Sequence, residues 1–273
     1  MTSTDRAQGV ALVTGASRKA GIGAAIARAL ARDWSAVFIT YYRPYDHESG
    51  LVYSPSPNEP QELLTELRGL GCRAEGLEVD LSDPTAPARL FDTVEHTLGP
   101  VQVLVNNATY SMQGGIDALT AEQLDRTYAV NLRGMALLCV EFVRRYREAL
   151  GEHTATAGTA STFGRIVNLS SGQSLGPMPG ELAYVATKGA VEAFTLSLSA
   201  EVASLGITVN AVDPGVTDTG WISPDLKARW ESQAPLGRLG MPDDAARLIR
   251  FLASADAGWV TGQVIHSHGG FLV

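Results

Sequence analysis

The chain has 273 residues, with 29 Asp and Glu against 21 Lys and Arg, for a formal net charge of −8. That acidic balance, with no Lys/Arg cluster, excludes a nucleic-acid surface, and the absence of an apolar run of about 18 residues excludes a membrane span. Residues 1–6 show no basic stretch followed by an apolar one, so no secretory signal is read; Cys72 and Cys139 are then expected as reduced thiols of a cytoplasmic protein.

In chain order, Val10–Val13 reads as a short buried strand closed by Thr14-Gly15. A glycine-rich turn through Gly21 and Gly23 follows, then a helix with Ile22, Ile26, Ala29, Leu30 and Trp34 at helical spacing. Strand, glycine turn and helix form the first half of a dinucleotide unit, because glycine lets backbone N–H groups approach a pyrophosphate at the helix N-terminus. Further strand-like runs fall at about 36–40, 74–79, 101–105, 165–169, 207–212 and 262–266, alternating with helical stretches. Thr120-Ala-Glu-Gln123 is a capping box opening a long helix with Leu124, Tyr128, Leu132 and Met135 on one face. Pro242-Asp-Asp opens another, with acids in its first turn. The alternation predicts βαβ units, a parallel sheet and one domain over residues 1–273. Two irregular segments interrupt it: 43–60, rich in turn formers and too long for an ordinary connection, and 151–164, read as a surface excursion.

One motif carries reaction chemistry. Tyr184 and Lys188 lie four residues apart, and Ser171 stands thirteen residues before Tyr184. Helical positions i and i+4 share a face, so the Lys188 ammonium is expected to lower the Tyr184 pKa and suit the phenol to acid/base work. The five histidines show no metal-ligand spacing, so no metal is expected.

The ordered set of motifs resembles the short-chain dehydrogenase/reductase family, in its 3-oxoacyl reductase-like branch. The matching residues are Thr14-Gly15 with Gly21-Ile22-Gly23, Asp80-Leu81, Asn106-Asn107-Ala108, Asn131, Asn168-Leu-Ser-Ser171, Tyr184 with Lys188, and Pro214-Gly215 through Thr219. They cover roughly residues 9 to 270. The resemblance implies an α/β Rossmann-type fold, a doubly wound parallel sheet of about seven strands with helices on both faces. It implies that Tyr184 passes a proton to a carbonyl oxygen, that Ser171 bonds the same oxygen, and that Lys188 holds the nicotinamide ribose. Asn131 would support a water that resupplies protons through Lys188. The cofactor set it implies is Gly15, Ser17, Arg18, Lys19, Gly21, Ile22, Gly23, Arg43, Asp80, Leu81, Asn107, Ala108, Pro214, Gly215, Thr217 and Thr219.

Charge points to NADP(H) over NAD(H). The second strand ends without the acid that takes ribose hydroxyls, and Arg43 with Arg18 or Lys19 could instead meet a 2′-phosphate. The chain departs from the family's usual pattern in three places. Five residues, Ala16–Ala20, separate the first two glycines where three are usual; His268 precedes Gly269-Gly270 where an acid is common; Thr109 ends the asparagine motif in place of Gly. The expected activity is reduction of a small-molecule ketone to an alcohol, either a 3-oxoacyl thioester or a secondary-metabolite carbonyl. The alternatives are an enoyl reductase, a branch whose Tyr and Lys are spaced more widely, and a non-catalytic nucleotide-binding scaffold. The substrate is expected under residues 173–183 and 220–235, where Trp221 and Trp230 stand. A homodimer or homotetramer is expected through the helices at about 120–150 and 183–204, with Phe271–Val273 at an interface.

Overall fold

The computed structural model describes residues 7–48, 56–112, 114–150 and 163–271. Seven parallel strands lie in the order β3-β2-β1-β4-β5-β6-β7: β1 Ala7–Val13, β2 Trp34–Tyr41, β3 Arg73–Glu78, β4 Val101–Asn106, β5 Gly164–Leu169, β6 Ile207–Asp213 and β7 Val264–His266. The helices between them are α1 Ile22–Leu30, α2 Arg43–Glu48, α3 Glu59–Gly69, α4 Ala86–Thr97, α5 Ala121–Tyr128, α6 Met135–Leu150, α7 Leu182–Val202, α8 Pro224–Glu231 and α9 Pro242–Leu252.

The central strands are apolar at successive positions because both faces of the sheet are covered. Successive side chains of β1 alternate between two cores. Ala11 and Val13 join Ile26, Leu30, Leu63, Ile249 and Leu252 of α1, α3 and α9. Val10 and Leu12 join Leu90, Leu138, Phe142 and Val191 of α4, α6 and α7. Each fully buried Leu or Phe contributes about 2 kcal/mol by removal from water, so the two cores fix which strand ends lie together. The order reverses between β1 and β4, and a ligand cleft is expected at the carboxyl ends there.

Three expectations change. Trp34 opens β2 instead of continuing α1; the run Val37-Phe38-Ile39 draws it into the sheet, where its ring packs edge-on against Phe163 at 6.0 Å. The long helix begins at its capping box as read, but divides into α5, a π-helical turn Ala129–Gly134, and α6. The wider turn rotates the face, leaving Leu124 and Tyr128 exposed while Met135 is buried. Segment 43–60 begins with α2, and residues 49–55 lie outside the described residues. Phe271 packs with Ile222, Ala234 and Leu239 of its own chain, and residues 272–273 lie outside the described residues. Most of the expected excursion at 151–164 also falls outside the described residues. Among those described, no helix is long and apolar enough to cross a membrane.

Candidate active site

The glycine turn is shaped by close approach. Gly15 has φ +74°, and a Cβ there would meet Ala108 Cα at 2.6 Å. A Cβ on Gly23 would meet the Gly15 carbonyl oxygen at 2.5 Å and Asn107 Nδ2 at 2.7 Å. The turn is clamped to β4: Asn107 Nδ2 donates to the carbonyls of Thr14 and Gly15, both at 2.9 Å. The Thr14 hydroxyl accepts the N–H groups of Asn107 and Ala108, both at 3.1 Å. Asn107 thus holds the loop in place, and Thr14 is its unassigned partner. Gly21 caps α1 without any side-chain bond, which leaves the positive end of that helix facing the cleft.

The three expected phosphate cations differ. Arg43 is exposed and paired with Glu78, its Nε donating to Oε1 at 3.0 Å, because the β2–β3 register sets Tyr41 beside Glu78. Lys19 reaches Glu62 at 3.0 Å and its backbone N–H donates to Glu59 Oε2. Arg18 Nε lies 3.5 Å from Asp46 Oδ1, while its Nη1 is buried without a hydrogen-bond partner among the described residues. Ser17 Oγ accepts the Tyr42 N–H at 3.4 Å, joining the turn to the end of β2. A buried guanidinium nitrogen without a partner fits an anionic ligand.

Asp80 Oδ1 accepts the Ser82 N–H at 2.8 Å, a local turn at the end of β3, and Leu81 is buried beside it. At the end of β6, Gly215 has φ +62° and presses on His268, whose Cβ would lie 2.4 Å from a Cβ at that glycine. Thr217 and Thr219 are buried; the Thr217 hydroxyl donates to the Pro214 carbonyl at 3.0 Å.

Ser171, Tyr184 and Lys188 come together at the ends of β5 and α7. The Ser171 hydroxyl hydrogen-bonds the Tyr184 phenol and also lies 4.0 Å from Met178 Sδ, whereas the resemblance implied a bond to the substrate oxygen. Burial nevertheless pushes that phenol up to about 12, the Ser171 bond offsets part of the rise, and the charges of Glu181 and Asp213 add to it. Lys188 Nζ donates to the Leu169 carbonyl at 2.7 Å and lies 5.4 Å from the Tyr184 ring centroid. Burial pushes Lys188 down to about 8. The expectation that Lys188 makes the phenol more acidic is therefore corrected: desolvation is the largest influence on each group, and it leaves the phenol above its ordinary value.

Asn131 sits in the π-helical turn and is fully engaged. Its Oδ1 accepts the Tyr110 N–H at 2.7 Å and the Thr109 hydroxyl at 3.2 Å. Its Nδ2 donates to the Tyr110 carbonyl at 2.9 Å and the Thr187 hydroxyl at 3.2 Å. It ties the segment after β4 to α7 one residue before Lys188.

Two side chains in this region were not anticipated as site residues. Tyr45 of α2 reaches across the cleft: its hydroxyl donates to the Ser111 carbonyl at 3.2 Å and accepts the Ser111 N–H at 3.1 Å. Asp213, fully buried, pairs with His266 Nδ1 at 2.9 Å.

A hydroxyl–phenol–ammonium group at the carboxyl edge of a doubly wound sheet, beside a glycine-lined helix N-terminus, belongs to one class of enzyme. The chain is a member of the short-chain dehydrogenase/reductase family and an oxidoreductase. The family model described as "Enoyl-(Acyl carrier protein) reductase" matches residues 15–272. The chain is 44% identical to the uncharacterized oxidoreductase YjdA of Bacillus subtilis over 263 residues, covering 96% of each. Among solved structures it is similar to the promiscuous reductase LugOII, which catalyses keto-reduction in lugdunomycin biosynthesis, at 32% identity and TM-score 0.80. That match covers 97% of this chain and 98% of the other. A short-chain dehydrogenase from Burkholderia cenocepacia in complex with NADP matches at 30% identity and TM-score 0.80, with the same coverage.

Proposed function

We propose that the chain is an NADP(H)-dependent reductase that converts a ketone to a secondary alcohol. The observation that carries this reading is the Tyr184 phenol, hydrogen-bonded by Ser171 and kept protonated by its burial. When bound, the reduced nicotinamide supplies a hydride to the carbonyl carbon. Tyr184 gives its proton to the carbonyl oxygen, and Ser171 holds that oxygen in line. Lys188 stands at the base of the pair to hold the ribose, and Asn131 keeps the adjoining segments in register.

The residues fit a dinucleotide. Glycines at 15 and 23 leave no room for side chains, and the α1 N-terminus and the Arg18 Nη1 would receive an anion. Arg18 is the residue that meets the 2′-phosphate in this reading; Lys19 and Arg43 are held by glutamates, and Asp46 orients Arg18. The NADP complex of the Burkholderia neighbour supports the same choice. Pro214, Gly215, Thr217 and Thr219 frame the nicotinamide end, and Asp80 with Leu81 the adenine end.

The exposed Leu124, Tyr128, Val140 and Leu196 on α5, α6 and α7 support a homo-oligomer. The family model's description favours one second reading, reduction of a C=C bond. Calorimetric titration with NADPH and NADH, followed by turnover on ketones and on α,β-unsaturated thioesters, tests the proposal. Preference for NADPH and for ketones supports it; preference for NADH overturns the cofactor assignment, faster turnover of the C=C substrate overturns the ketone assignment, and binding of neither dinucleotide leaves a non-catalytic scaffold.

A further inference from the structure

Glu181 lies three residues before Tyr184, at the N-cap of α7, and its side chain makes no capping bond there. It instead turns toward the segment after β4, where its Oε2 accepts the Ser111 hydroxyl at 3.2 Å. Ser111 is itself fixed through both backbone groups by the Tyr45 hydroxyl, at 3.2 and 3.1 Å. The two segments are also joined by backbone: Gly114 N–H donates to the Gly180 carbonyl at 2.7 Å, beside a parallel bridge between Gly114 and Glu181.

This junction borders an open recess of about 390 Å³, lined by Gly114, Gly115, Pro179, Gly180 and Glu181. Of those five, Glu181 alone carries an ionisable group, and the others present glycine backbone or proline. A Cβ added at Gly115 or Gly180 would touch nothing within 4 Å among the described residues, which leaves the recess room for a ligand. Glu181 is half-buried, its carboxyl raised above its ordinary value by that burial, and its charge is felt at the Tyr184 phenol. A partly desolvated carboxylate with one oxygen held by Ser111 retains capacity to accept hydrogen bonds, and a donor reaching it gains more than a neutral pair would.

We infer that Glu181 is a specificity-determining residue: its carboxylate accepts a hydrogen bond from a hydroxyl group that the ketone carries, and it disfavours anionic substrates. The inference rests on the ketone-reductase reading and names the substrate class for that site, a hydroxylated ketone. Carboxylated ketones meet the like charge of a half-buried carboxylate, where screening is weaker than in water. Tyr45 acts through Ser111 as a positioning residue, holding the acceptor at one place relative to Tyr184.

The test uses the full chain with NADPH and a matched set of aryl methyl ketones: acetophenone and its ring-hydroxylated, ring-carboxylated and ring-aminomethylated isomers. For the wild type, kcat/KM for the best hydroxylated isomer is expected to exceed that for acetophenone by about tenfold or more, through KM, and the carboxylated isomers to fall below it. In Glu181→Ala the hydroxyl-to-parent ratio is expected to collapse to within about threefold. In Glu181→Gln, which keeps an acceptor but loses the charge, the hydroxyl preference is expected to persist in part while the bar on carboxylated isomers is lifted. Equal wild-type values for parent and hydroxylated ketones, or a ratio that survives in Glu181→Ala, would overturn the inference. Faster turnover of aminomethylated than hydroxylated isomers would also overturn it, assigning the recess to a cation. Failure of every ketone with either cofactor would instead remove the reductase reading, and this inference with it.

Discussion

Lys188 Nζ donates to the Leu169 carbonyl at 2.7 Å, which anchors α7 to the end of β5 and sets the Tyr184 ring 5.4 Å from a buried ammonium. The bond fixes geometry, but burial still pushes the lysine down to about 8.

That shift has a consequence for stability in the free protein. An unfolded lysine holds its proton to about pH 10.4, whereas folded Lys188 releases it from about 8. Between those values the unfolded chain binds more protons, so Lys188 makes stability rise with pH, by at most about 3 kcal/mol. Tyr184 acts oppositely only above pH 10, where its folded phenol keeps a proton the unfolded one loses. Urea unfolding from pH 7.5 to 10 is therefore expected to show a rise in wild type relative to Lys188→Met. Parallel curves for the two proteins would refute it.

Arg18 and Arg43 are separated by their partners. Arg18→Ala is expected to weaken NADPH binding by about 2 kcal/mol, some thirtyfold, while changing NADH binding little. Arg43→Ala, already paired with Glu78, is expected to matter much less. Calorimetry with both dinucleotides on both variants checks this. An equal loss for NADPH and NADH in Arg18→Ala would place the residue away from the 2′-phosphate.

Gly23 and Gly189 make a contrasting pair. Gly23→Ala puts a methyl 2.5 Å from a backbone oxygen and should displace the glycine turn, removing dinucleotide binding from a folded protein. Gly189→Ala adds a methyl to an exposed site of α7 with no atom within 4 Å, and should stabilise by about 1 kcal/mol. Thermal unfolding and calorimetry on both check the pair.

Asn131→Ala would leave the buried N–H and carbonyl of Tyr110 without their side-chain partner. A loss of about 2 kcal/mol or more in urea unfolding is expected, together with lower turnover. A variant as stable as wild type would show that the clamp on Tyr110 is dispensable.

The sheet was legible because each strand is a short apolar run between turn signals, and local sequence decides that pattern. The site residues were legible where spacing along one element carries the chemistry, as with Tyr184 and Lys188 on α7. What depended on packing was not. Tyr45 and Ser111 are 66 residues apart and meet only because β2 and β4 end at the same edge of the sheet. The rotation that exposes Leu124 and Tyr128 comes from a π-helical turn, for which Ala129–Gly134 carries no local signal. The pairings that separate Arg18 from Lys19 and Arg43 depend on where α3 and β3 bring their glutamates. The pKa of Tyr184 was misjudged for a similar reason: helical spacing reports a neighbour, while desolvation depends on the whole fold.

The central claim is that Tyr184 protonates a ketone oxygen as hydride arrives. The most direct measurement is single-turnover consumption of NADPH by a ketone with wild type and Tyr184→Phe, after calorimetry has shown that both bind NADPH. The expected result is equal dinucleotide affinity with a rate at least about a hundredfold lower in the phenylalanine variant. A Tyr184→Phe protein that binds NADPH normally and reduces the ketone within a few-fold of wild type would contradict the account.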